Sequence, residues 1–168
     1  LKEIGKDTKS VAVEVFKRFI DIGLVRGGKS GNWNVNGWNM MLRPVLVLDS
    51  NEAYPDGKGK EYYLNLLVNE STPYHDAIPD MLKTYDPVTG LWPESPGYSF
   101  GTIQMLLDWA APLKRAGIDI IAGNPILQKA AMAVFPWMDD AANMVVFGDS
   151  RGGSANFQTF ENLLAYYA

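Results

Sequence analysis

Apolar residues recur at three- and four-residue steps along most of this chain, and that spacing predicts helices rather than strands. Ala12, Val15, Phe16, Phe19, Ile20 and Leu24 share one face of a first helix, with Glu14, Lys17, Arg18 and Asp21 on the rest. Ser10 is its expected N-cap and Gly27-Gly28 its stop. Residues 40–48 are apolar nearly all round, which predicts a buried helix kinked at Pro44. A turn-rich connector over 49–59 leads to a helix over about 60–69, with Tyr62, Tyr63, Leu66 and Leu67 inward. A short helical piece between Pro73 and Pro79 holds His75, read as a surface or capped residue rather than a catalyst. A long helix from Phe100 bends at Pro112 and stops at Gly117, and Asn124-Pro125 opens another that Pro136 ends. An extended stretch over 144–147, a glycine-rich turn and a last helix from near Asn156 complete the chain. The glycine-rich turn has neither the lysine nor the spacing of a phosphate loop.

Two stretches interrupt the helical rhythm. Residues 85–100 read YDPVTGLWPESPGYSF, with two prolines and two glycines between Gly90 and Gly97. Neither a helix interior nor a central strand accommodates that density. A shaped loop is expected, carrying Trp92, Glu94 and Tyr98 to the mouth of a helix. A carboxylate, a phenol and an indole so placed suit a sugar, and a structural loop with buried aromatics is the competing reading. The second stretch, residues 31–41, holds four asparagines and two tryptophans between Asn32 and Asn39. Asparagine favours caps and turns over helix interiors. These residues are read as a polar, stacking rim at the start of an inner helix, with core tryptophans and competing caps as the alternative.

Composition narrows the classes. The chain has 168 residues, enough for one compact domain or part of a larger one. Its 47% hydrophobic and 12% aromatic content supplies a core and excludes disorder. No apolar run approaches the roughly 18 residues of a membrane span. The net charge of −4 argues against nucleic acid and sits awkwardly with a polyanion unless a local basic patch outweighs it. Cysteine is absent, which excludes disulfides, thiol chemistry and cysteine-held metals. One histidine makes a histidine-based metal site or a serine–histidine triad improbable, so no metal or cofactor is expected. The first residue is Leu1, so the N-terminus is read as a cut edge. No repeat period emerges. The reading is all-α, six or seven helices in hairpins with elaborate loops at one end, a slice of an incomplete α/α toroid.

Three stretches together resemble the heparinase II/III-like family of polysaccharide lyases, including related alginate lyases. They are Asn32-Trp33-Asn34 leading through Asn36-Gly37 into an apolar helix, the run from Gly90 to Tyr98, and Phe147-Gly148-Asp149-Ser150 ahead of a helix. The resemblance implies a single helical segment over 1–168 whose parent continues into a C-terminal β-sandwich. It also implies a periplasmic or secreted enzyme that binds an acidic polysaccharide and cleaves it by β-elimination. An amide neutralises the uronate carboxylate, a base removes the C5 proton, and an acid protonates the leaving glycosidic oxygen. On this chain Tyr98 matches the loop tyrosine, and an ordinary phenol near pKa 10 suits an acid at neutral pH. Asn34 or Asn36 is the carboxylate neutraliser. Asn32, Glu94, Asp149 and Arg151 are candidate substrate contacts, and Trp33, Trp38 and Trp92 candidate stacking platforms with at least one of them core. The chain departs from the family in the spacing after Asn32 and in lacking a histidine there. Two other readings remain: an α/α-scaffold glycoside hydrolase using Glu94 and Asp149 roughly 5–10 Å apart, or a glycan-binding helical domain without activity.

Overall fold

A computed structural model describes residue 5, residues 7–150 and residues 152–167. The chain divides into two compact units, Leu1–Met81 and Leu82–Ala168. The described residues are mostly helical, with isolated β-bridges and no sheet. The all-α expectation therefore holds.

The first unit comprises α1 (Thr8–Arg26), α2 (Gly31–Leu46), α3 (Lys60–Val68) and α4 (Ile78–Met81). Asp7, rather than Ser10, caps α1, its carboxylate accepting the Ser10 N–H at 2.9 Å. The aspartate sits one turn earlier, where an orphan N–H points at it. Four residues separate α1 from α2, and Lys9 near the start of α1 pairs at 2.9 Å with Asp49 just past the end of α2. The two helices form an antiparallel hairpin. Val15 and Phe19, expected on the buried face of α1, are exposed, and Ile20 and Leu24 carry its burial.

The asparagine-rich run is itself helical: α2 starts at Gly31, well before residue 40. It buries Asn34, Val35, Trp38, Met41, Leu42 and Val45. These follow the 3.6-residue period of a one-sided stripe, and Met40 and Val47 stay exposed. Burial therefore covers one face of residues 40–48, not the whole circumference. Each large side chain so buried contributes about 1.5–3 kcal/mol. Pro44 falls in the last turn, where α2 ends two residues later.

The second unit comprises α5 (Pro96–Asp108), α6 (Ala110–Arg115), α7 (Pro125–Ala133) and α8 (Gln158–Tyr167). The long helix expected from Phe100 breaks at Trp109 instead of bending. Pro112 has no N–H for the Asp108 carbonyl four residues back, so the ladder stops there and restarts. Gly117 ends α6 with φ of +84°, its N–H reaching the Lys114 carbonyl at 3.0 Å while Ile118 N–H reaches Leu113 at 2.9 Å. That is the bond pair of a Schellman stop, which needs glycine's left-handed backbone. Phe160 of α8 stacks on Phe135 with ring centres 4.6 Å apart and meets Phe100 of α5 at 6.0 Å.

Candidate functional site

The loop ahead of α5 is shaped by its own polar atoms. Asp86 accepts hydrogen bonds from Val88 N–H, Thr89 N–H and the Thr89 hydroxyl. Those Thr89 bonds hold its carboxyl below the usual carboxylate range. Gly90 closes the turn at φ +77°, and a side chain there would meet the Lys129 backbone of α7 at 2.9 Å. Lys129 Nζ grips the Pro87 carbonyl at 2.7 Å from the same helix. The loop is therefore docked on α7 and enters α5 in a fixed direction.

Its aromatic residues divide sharply. Trp92 is 2% exposed, edge-on to Tyr85 with ring centres 4.8 Å apart, and its indole N–H donates to the Glu94 carboxylate. Trp92 is thus core, and it positions Glu94. Tyr98 is 39% exposed. It stands in the first turn of α5 rather than in the loop, because Pro96 is pre-set for the first helical position. The Tyr98 phenol has no hydrogen-bond partner among the described residues.

The sequence-distant turn around Gly148 comes to the same place. Ser150 Oγ accepts the Gly97 N–H at 2.8 Å, filling one of the orphan donors at the start of α5. A side chain on Gly97 would come within 2.5 Å of that oxygen, so glycine makes the approach possible. Gly148 turns the chain at φ +65°, beside Ser95. Gly97, Tyr98, Asp149 and Ser150 then line an open pocket of about 360 Å³. Two of the three sequence motifs therefore meet, and they bring an exposed phenol and an exposed carboxylate together. A neighbouring pocket of about 570 Å³ includes Glu94, Trp137 and Phe147 in its lining. Trp137 has no sequence signal beyond being an aromatic after a proline.

The candidates on α2 fare differently. Asn34 is 1% exposed, its Nδ2 donating to the Asp76 carbonyl and its oxygen accepting the Asp76 N–H, both at 2.9 Å. An amide bonded at both its nitrogen and its oxygen and closed off from solvent cannot reach a uronate. Trp38 is fully buried, with its indole N–H on the Leu67 carbonyl at 3.1 Å, so it is no stacking platform. Asn36 donates one N–H to the Asn32 carbonyl at 3.0 Å and keeps the other. Asn32 is half-buried, and Trp33 is 75% exposed in the first turn of α2. Arg151 lies outside the described residues. His75 is 1% exposed with Nε2 unpartnered, a core histidine rather than a surface one, and burial lowers its pKa to about 4.

A larger hollow, about 1200 Å³, lies in the first unit and is lined from α1, α3, Tyr54, Lys58 and residues 72–74. None of the candidate residues lines it. Its Lys17 is held by Asp56 at 2.8 Å, and its Asp21 accepts the Tyr63 hydroxyl at 2.9 Å. Size alone does not make it the site. No family model matches the chain, and neither a curated protein nor a solved structure matches it.

Proposed function

We propose that the chain belongs to a heparinase II/III-like polysaccharide lyase that cleaves uronic-acid-containing polysaccharide by β-elimination outside the cytoplasm. Its helices would form part of an incomplete α/α toroid, for which the antiparallel pairing of α1 and α2 is the supporting feature. The observation that carries the reading is the exposed Tyr98 phenol, without a hydrogen-bond partner among the described residues and set beside Asp149 in an open pocket by two motifs far apart in sequence.

In this reading Tyr98 delivers its proton to the glycosidic oxygen as the C4–O bond breaks. A general base takes the C5 proton, and the C5–H electron pair becomes the C4=C5 double bond as the C4–O pair leaves with the glycosidic oxygen. Asp149 accepts a sugar hydroxyl. Of the two amide candidates, Asn34 is buried and Asn36 only half-buried, so Asn36 is the more accessible. A hydrolase would need Glu94 and Asp149 facing across one bond, and they line different pockets. A purely structural loop would bury Tyr98, which is exposed.

The test takes the full-length gene product and its Tyr98→Phe variant through a panel of uronate polysaccharides. The readout is the ultraviolet absorbance of the unsaturated uronide. Absorbance with the parent, falling about 10²- to 10⁴-fold in the variant, is the expected result. New reducing ends without absorbance overturn elimination.

A further inference from the structure

We infer that the pocket between the loop ahead of α5 and the aromatic pair Trp137–Phe147 is a second saccharide subsite, one that takes the hydroxyl-bearing face of the sugar next to the reacting uronate. The inference rests on the lyase reading for what occupies the Tyr98 pocket, and it adds where the neighbouring sugar lies.

Trp137 and Phe147 meet edge to face, with ring centres 5.9 Å apart and planes at 79°. They offer two aromatic walls at an angle, and Phe147 is 53% exposed. Aromatic faces attract the apolar C–H patches of a pyranose through the same quadrupole that orders ring pairs. The Trp137 backbone is held on both sides. Its N–H closes a 3₁₀ turn on the Val134 carbonyl at 3.0 Å, and its carbonyl accepts the Val145 N–H at 2.8 Å. Glu94 supplies the polar side of the pocket. Trp92 fixes one of its carboxylate oxygens, and the other has no partner among the described residues.

The charge of this pocket chooses between faces of the sugar. Asp86 and Glu94 both line it together with Lys83, so the lining is net negative by one charge. Val88 and Thr89 engage only Oδ1 of Asp86, so both carboxylates offer an oxygen to a hydroxyl, and Glu94 is the one its neighbour Trp92 holds in place. Two carboxylates oppose a uronate carboxylate and favour hydroxyl donors. The pocket is separate from the Tyr98 pocket, but the two are lined by neighbouring residues of the same two chain segments. Phe147 lines one and Asp149 and Ser150 the other, while Glu94 lines one and Gly97 the other. The Gly97–Ser150 hydrogen bond locks those segments side by side. An oligosaccharide leaving Tyr98 along them meets Trp137.

The experiment compares wild type with Trp137→Ala and Trp137→Phe on uronate disaccharides and on longer oligosaccharides. Both elimination and direct binding are followed, the latter on the Tyr98→Phe background by calorimetry. The expected result is a loss of about tenfold in the affinity or kcat/KM gained on lengthening the substrate, seen mainly in KM. Trp137→Phe recovers most of the gain. Retention of the full chain-length gain by a folded Trp137→Ala protein overturns the subsite. Restoration failing in Trp137→Phe when thermal unfolding matches wild type also overturns it. Trp137-dependent saccharide binding without any elimination overturns the lyase reading and leaves the subsite standing. Absence of saccharide binding at every length, or pocket occupancy by aromatic or proline-rich peptides instead, overturns the subsite itself.

Discussion

Helix α2 and the loop into α5 carry similar chemistry in sequence, amides or acids beside indoles and phenols, and the structure uses them in opposite ways. On α2 the polar atoms of Asn34 and Trp38 end on backbone groups of Asp76 and Leu67. In the loop, Trp92 is likewise enclosed, but Tyr98 and Asp149 line a pocket and have no side-chain hydrogen-bond partner among the described residues. Sugar recognition depends on donors and acceptors left free, not on their abundance. A buried polar group must be satisfied from within or it costs stability.

That contrast can be broken by measurement, most forcefully at Trp38. Removing this fully buried indole as Trp38→Ala is expected to cost about 3–5 kcal/mol in chemical denaturation. Trp33→Ala, at an exposed ring on the same helix, stays within about 0.5 kcal/mol. Equal costs would mean that α2 does not sort its tryptophans by burial as described.

His75 gives the next effect, through pH. Burial depresses its pKa from 6.5 to about 4, so the unfolded chain binds the extra proton first. The stability this neutral histidine protects is complete above about pH 6.5 and falls as pH drops toward 4. The loss totals about 3 kcal/mol at the low end. Urea titrations at several pH values, compared with His75→Phe, isolate it: the variant should lack that part of the slope. Asn34→Ala follows at about 2–3 kcal/mol, since it strands both the N–H and the carbonyl of Asp76.

The second unit supplies the small effects. Ser150→Ala removes the bond to Gly97 N–H and should cost about 1 kcal/mol. Turnover should fall as well, because the Asp149 turn is no longer latched to α5. Tyr98→Phe is expected to change stability by less than about 0.5 kcal/mol, even as turnover collapses. A large stability loss at Tyr98 would show that the phenol holds the fold together and would dissolve the contrast with Asn34.

How much of this was legible beforehand varied with the range of the physics involved. The helical class, the stops at Gly27 and Gly117 and the start at Asn124-Pro125 rest on local backbone preferences, and all of them hold. The break at Trp109 and the cap at Asp7 were misplaced by a few residues, since competing local signals lie close together there. The fate of each candidate side chain was not legible. Nothing near Asn34 in sequence announces Asp76, forty-two residues away, and Trp137 becomes a pocket wall only because Val145 fixes its backbone.

By itself the sequence determined where the chain coils and where it cannot, because φ and ψ limits, proline and glycine act on neighbours along the chain. It also determined that the residues around Gly97 and Gly148 can approach closely. Tertiary structure alone decided which polar atoms are consumed by the protein and which remain for a ligand. That outcome depends on partners brought together across long stretches of chain, and a hydrogen bond used inside the fold is one no substrate can take.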